Sequence, residues 1–141
     1  MFRRLGQAKT VGARALVFDV ESRVLLVRHT YRPGWHTPGG GVNEGESPLD
    51  AVKREVFEET GLVLATEPTL FGVYINRWQG LSDYPILYVV RNQHGEPRVN
   101  DRSEIAAVGW FGLDELPPGT TPKTRRRIEE VMGMKDISRE W

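Results

Sequence analysis

Apolar and polar positions change rhythm along this chain, and the changes mark its elements. Residues 11–20 and 23–30 are rich in β-branched and aliphatic side chains, the composition of strands. The polar pair Glu21-Ser22 between them predicts a hairpin. Val24-Leu25-Leu26-Val27 is apolar at every position rather than at alternate ones, which predicts a strand covered on both faces. Further strands are expected at 69–78, 85–92 and 105–111.

Two helices are marked by their ends. Ser47-Pro48-Leu49-Asp50 supplies an N-cap, a proline at the first helical position and an acid at the third, and Gly61 stands where a left-handed cap belongs. The same signs recur as Thr121-Pro122 and Gly133 around the basic segment 123–134. Glycine and proline cluster between the elements, at Pro33-Gly34, at Pro38 with Gly39-Gly40-Gly41, and at Pro117-Pro118-Gly119. The order strand-rich, helix, strand-rich, helix predicts an α/β class fold with a mixed β-sheet between helices. At 141 residues, one domain over 1–141 is expected.

Charge and composition narrow the function. Nineteen Lys and Arg balance 19 Asp and Glu, so the chain lacks the overall basic field of a constitutive nucleic-acid binder. It has no cysteine, which excludes disulfides and thiolate metal sites. The longest apolar run, 86–90, is far short of the roughly 20 residues of a membrane helix. Met1 to Thr10 carry paired arginines and no apolar stretch, so no signal peptide is expected and the cytoplasm is the expected compartment.

The first helix carries the candidate chemistry. At about 100° per residue, Leu49, Val52 and Val56 form its core stripe, and Glu55, Glu58 and Glu59 share the adjoining face. Like charges at this spacing repel by a few tenths of a kcal/mol per pair, roughly. Segment 44–59 holds six acids and two bases. A solvated acidic face is one reading; the other is a set of carboxylates for a hard divalent cation such as Mg2+. Gly39-Gly40-Gly41 just before it allows a close approach of backbone or phosphate.

From Gly40 the chain reads GGVNEGESPLDAVKREVFEETGL. This matches the pattern G-x5-E-x7-R-E-U-x-E-E-x-G-U, with U aliphatic, at all its specified positions from Gly40 to Leu62. The chain therefore resembles the Nudix hydrolases. The resemblance extends to the strand pair before the motif, the approach Gly34-Trp35-His36-Thr37-Pro38-Gly39-Gly40, and the closing Trp110-Phe111 with Leu113-Asp114-Glu115-Leu116-Pro117. Thr37 departs from it, standing where the family commonly has a larger apolar residue.

The resemblance implies a Nudix-type α/β/α sandwich and hydrolysis of a nucleoside diphosphate linked to another moiety, by attack of water on phosphorus with Mg2+ or Mn2+. It implies Glu58, Glu59 and the Gly39 carbonyl as metal ligands, and Glu55 as a further ligand or the proton acceptor. Arg54 orients these glutamates, or else makes an ordinary helix ion pair. Glu46 supports them, and Glu104 is the distal carboxylate, with Asp101 its competitor. Gly40, Tyr31, Trp35 and Trp78 are candidates for substrate contact, the aromatics by stacking, with Trp35 equally suited to packing. His29, His36 and His94 are isolated, and His36 is expected to be an exposed loop residue. Arg125-Arg126-Arg127 is expected to be a solvated face.

The family's markers for ADP-ribose and dinucleoside polyphosphate substrates, a proline or a tyrosine about 16 residues past Leu62, are absent from the window Arg77, Trp78, Gln79, Gly80. A small-molecule nucleotide (a nucleotide sugar or a nucleoside triphosphate) is the expected partner, with long nucleic acid and membrane disfavoured and a homodimer compatible. The alternatives are a nucleotide sensor without turnover and an RNA 5′-end pyrophosphohydrolase.

Overall fold

The computed structural model describes residues 8–141; the leader reading of Met1 to Thr10 falls mostly outside them. Along the chain lie β1 (Lys9–Asp19), β2 (Val24–His29), β3 (Trp35–His36), β4 (Gly39–Gly41), α1 (Pro48–Thr60), β5 (Thr69–Val73), β6 (Asn76–Trp78), β7 (Leu81–Gln93), β8 (Ile105–Phe111) and α2 (Pro122–Val131). The strands form a mixed sheet in the order β3-β2-β1-β7-β5, with β4 on β1, β6 on β7 and β8 on β2. The β1–β7 pair is parallel and the other strand pairs are antiparallel.

The hairpin at Glu21-Ser22 is present. Asp19 organises it, its carboxylate accepting from the Glu21 and Arg23 amides at 3.0 and 2.8 Å and from Arg23 Nε at 2.7 Å. The strands then diverge, and only Phe18 and Val24 pair across β1 and β2. The gap is filled by β4, which lies against Gly12, Ala13 and Arg14 of β1.

Core clusters lie on both faces. Ala13, Ala15, Val17 and Leu25 pack with Ala51, Val52 and Val56 of α1. Leu16, Phe18, Val24, Leu26 and Leu87 pack with Ile128 of α2. Val24 to Val27 is fully buried throughout, as its unbroken apolar run predicted. Burying each such side chain stabilises the fold by roughly 1.5–3 kcal/mol.

Both helices begin and end as their sequences predict. Ser47 accepts from the Asp50 amide at 3.0 Å, and Gly61 adopts φ +72° with its N–H on the Phe57 carbonyl. Thr121 caps α2, and beyond its end Gly133 and Met134 return their amides to the Glu130 and Glu129 carbonyls.

The strand expected at 69–78 is broken at Tyr74-Ile75. Tyr74 donates to the Pro85 carbonyl, but Pro85 has no N–H to return, so the ladder cannot continue across this pair. Ile75 instead exchanges hydrogen bonds with Arg139 and Trp141. The strand expected at 85–92 begins earlier, at Leu81, because the turn at Gln79-Gly80 (φ +46° and +76°) folds it onto β6.

Candidate active site on the first helix

Two glycines bring helix and sheet together. Gly39 sits at φ +148°, and a Cβ there would run into the Ala13 carbonyl and Arg14. A Cβ on Gly40 would lie 2.6 Å from the Glu55 carboxylate. Without side chains, this segment lets the acidic face of α1 rest directly on backbone.

Arg54 ties that face together. Its Nε and Nη2 reach both oxygens of Glu46 at 2.8 and 3.0 Å, Nη1 reaches Glu55 at 2.9 Å and Glu58 at 3.2 Å, and Nη2 also reaches the Gly41 carbonyl at 3.1 Å. The fork matches the planar guanidinium to a carboxylate, which fixes orientation as well as attraction. Glu46 is held below the usual carboxylate range by Arg54 and by the Asn43 amide.

The three helix carboxylates differ sharply in setting. Glu58 is largely exposed, with 56% of its side chain accessible, whereas Glu55 is at 16%. Glu59 is buried and accepts the Gly39 N–H at 2.7 Å. Burial pushes Glu59 up to about 8, helped by the charges of Glu55 and Glu104 and opposed by the Gly39 N–H and Arg14. Glu55 is also raised, by burial and by Glu58 and Glu104, against the pull of Arg54. Glu104 is exposed on the turn before β8, and its field reaches both.

His29, isolated in the sequence, is buried beside Glu59 with Nε2 4.0 Å from its Oε2. Burial and the charges of Arg32, His36 and Arg14 hold it down at about 4, so it is neutral near pH 7 and this is no ion pair. Arg32 Nη2 lies 3.3 Å from His29 Nε2. Because the guanidinium can only donate, Nε2 is the bare nitrogen, and Nδ1–H is buried without a partner. Nothing local in the sequence signals this contact, since His29 and Glu59 lie on separate elements.

This donor set fits a hard divalent cation in its chemistry: it offers oxygen alone, and two of its carboxylates, Glu55 and Glu59, are raised, first by burial and then by neighbouring acids. Among the described residues no three His, Asp or Glu side chains stand close enough together to enclose an ion as they are now arranged. The Gly39 carbonyl accepts from Arg14 Nη1 at 3.1 Å.

The proposed substrate contacts are scattered. Tyr31 is 67% exposed, its ring 5.0 Å from that of His29. Trp35 packs edge-on against Phe111 at 4.9 Å beside the second core cluster. Trp78 is exposed at the end of the β6–β7 hairpin. His36 is not an exposed loop residue but a half-buried strand residue whose Nε2 lies 2.9 Å from the Pro33 carbonyl. Thr37 is buried under the glycine segment.

A cleft of about 470 Å³ without a local signature in the sequence is lined by Arg14, Arg32, Thr37, Asn76, Asp83 and Lys123 among others. The basic run of α2, expected to be a solvated face, is not one. Arg127 is buried, its guanidinium 4.5 Å from the Tyr74 ring and 5.0 Å from that of Trp141. Arg126 pairs with the buried Glu130 at 3.0 Å, and only Arg125 is exposed. Three arginines in a row cannot share one helix face, and the inward one finds aromatic rings.

Comparison with known proteins agrees with this architecture. A family model described as the NUDIX domain matches residues 8–131. The chain is 32% identical over 130 residues to a "Putative 8-oxo-dGTP diphosphatase" of Bacillus subtilis, covering 92% of this chain and 85% of that protein. It is 39% identical over 144 aligned positions to an "RNA pyrophosphohydrolase" of Bartonella clarridgeiae, covering 82% of each. A crystal structure of a MutT NUDIX hydrolase from Burkholderia pseudomallei superposes with a TM-score of 0.78 at 34% identity, over 89% of this chain and 99% of that one.

Proposed function

The chain belongs to the NUDIX family as a hydrolase of phosphoanhydride bonds, and from that premise we propose that it cleaves a small nucleoside diphosphate derivative with Mg2+, or Mn2+ in its place. The observation that carries this reading is the glycine-cradled face of α1, where Arg54 holds Glu55 and Glu58 and the Gly39 amide holds Glu59. Glu58, Glu59, Glu55, Glu104 and the Gly39 carbonyl would hold the cation, with Asp101 set aside because its carboxylate is engaged by Ser103 at 2.9 Å. When bound, it supplies positive charge against the diphosphate oxygens, the main need of phosphoryl chemistry.

The chain's own residues do the rest. Where Glu55 is not spent on the cation it takes the proton of the attacking water: only one of its oxygens is engaged by Arg54, and burial raises its proton affinity. Arg54 keeps Glu55 and Glu58 at fixed positions and is itself braced by Glu46. The Gly39 amide fixes Glu59. The whole chain, 1–141, works as one catalytic domain in the cytoplasm.

Turnover of a panel of nucleotides should stop in excess EDTA and return with Mg2+; undiminished turnover in EDTA would overturn this mechanism. RNA 5′-end hydrolysis is the second reading, favoured by the name of the Bartonella relative. Against it stands α2, where Arg126 and Arg127 are spent within the fold. Small-nucleotide turnover should weaken only mildly from 50 to 200 mM salt, while many phosphate contacts to RNA would lose roughly 10³-fold or more.

A further inference from the structure

The cleft beside Gly39 holds more positive charge than its surroundings neutralise. Arg14 enters it from β1, Arg32 from the loop after β2, and Lys123 from the first turn of α2. Among the described residues, none of the three lies within ion-pair distance of a carboxylate. Their partners are neutral: Arg14 bonds the Gly39 carbonyl at 3.1 Å, Arg32 the His29 ring at 3.3 Å, and Lys123 the Asn76 side-chain oxygen at 3.3 Å.

Arg32 Nε is buried with no acceptor at all, a donor whose unmet bond costs stability until something supplies one. The charge of Arg14 also bears on Arg32 and opposes it. The acid lining the cleft, Asp83, is bonded by Thr10 at 2.6 Å. It sits four residues along the parallel β1–β7 register from Arg14, about 13 Å at the usual strand rise. Glu59 also acts on Arg32, but its carboxylate is fixed to Gly39 and assigned above to the cation.

Two guanidiniums and an ammonium facing one open cleft, with a single lining carboxylate among the described residues, Asp83, set opposite Asn76 on the neighbouring strand, are matched by a multiply charged, multiply accepting anion. The cleft adjoins the acidic face through Gly39, which gives its carbonyl to Arg14 and its amide to Glu59. We propose that Arg14, Arg32 and Lys123 bind a phosphoryl group of the substrate additional to the diphosphate at the α1 face, so that the substrate is a nucleoside triphosphate rather than a nucleotide sugar. This rests on the phosphoanhydride reading above. A neutral sugar would leave most of the cleft's positive charge uncompensated, whereas a third phosphate supplies charged acceptors for Arg14, Arg32 and Lys123.

The test is calorimetric titration with Mg2+, using a nucleoside triphosphate with methylene groups in place of both bridging oxygens, and the methylene-bridged nucleotide sugar of the same base. The intact protein should bind the triphosphate analogue roughly tenfold or more tightly than the sugar analogue. Arg32→Ala should remove most of that ratio, Lys123→Ala part of it, and Arg32→Lys should restore some. Equal losses for both analogues, no loss for either, or a wild-type preference for the sugar would overturn the proposal. Melting curves check the fold, and if Arg32→Ala does not fold, Arg32→Gln and Lys123→Ala carry the test. The phosphoanhydride reading fails by a separate sign: no nucleotide of any class turned over with Mg2+ or Mn2+.

Discussion

Glu59 and Glu130 are equally buried, each 3% exposed, yet their surroundings move them in opposite directions. Glu59 has one hydrogen bond, from Gly39, with Glu55 and Glu104 repelling it, and is raised to about 8. Glu130 accepts from the Tyr74 hydroxyl at 2.7 Å, Arg126 at 3.0 Å, Arg127 at 3.3 Å and the Ser138 amide at 2.9 Å. Burial pushes Glu130 up, but the Ser138 amide, Tyr74 and the two arginines outweigh it and leave it below the usual range. Burial alone therefore does not separate structural from functional carboxylates; the supply of donors does. In the α2 cluster the carboxylate is fully supplied, although Arg127 Nε and Nη1 are buried without a hydrogen-bond acceptor, while the buried carboxylate of the α1 face has a single donor.

The sharpest test of that contrast is activity. Glu58→Gln and Glu59→Gln should each cut the rate by about two orders of magnitude or more, while the metal-free proteins remain as stable as wild type or slightly more so, since the first removes a repelling charge and the second removes the need to bind a proton on folding. If both melted far below wild type without metal, the α1 carboxylates would belong with Glu130 as structural groups. Conversely, Glu130→Ala should cost roughly 3–5 kcal/mol of stability by leaving Arg127 buried beside an unpaired Tyr74 hydroxyl, read by urea denaturation. A loss under 1 kcal/mol, roughly, would show that solvent replaces the carboxylate.

The two glutamates should also tilt stability oppositely with pH. Glu130 lies below its unfolded value in the folded state, so its contribution is present above that value and fades as acid protonates it. Glu59 lies above its unfolded value, so the metal-free protein should lose stability as pH rises from about 4.5 towards about 8. Glu59→Gln should flatten that limb and Glu130→Gln the acid one; an unchanged profile in either variant would remove the assignment. The smallest effect is expected from Arg54→Lys. It loses the double contact with Glu46, which should slow turnover about tenfold while changing stability by about 1 kcal/mol or less at this partly exposed position.

What the sequence made legible was local. The α1 caps, the glycine segment and the eight-residue spacing of Glu46 and Arg54 lie within one stretch of chain, where helical periodicity translates directly into neighbours. What escaped it depended on residues meeting from afar. The break in the strand at Tyr74 is decided by Pro85 on the facing strand. Arg127 is buried because Tyr74 and Trp141 meet its helix, and the cationic cleft exists because β1, the loop after β2 and α2 converge. Local charge pattern carries no record of such encounters.

The segment after α2 acquires an unusual status from these contacts. Ser138 donates to the buried Glu130, Arg126 holds the Asp136 carbonyl, and Ile75 bonds both Arg139 and Trp141 at the gap in the sheet. Chain segments beyond a last helix ordinarily fray, exchange their amide hydrogens quickly and are trimmed by proteases. Here the Ser138 amide is bound to Glu130 of α2 and the Trp141 amide to the Ile75 carbonyl, so both should exchange slowly. The final residues are thus held to the domain rather than left to fray, and trimming them would unseal the sheet at Ile75 and uncover the rings that shield Arg127.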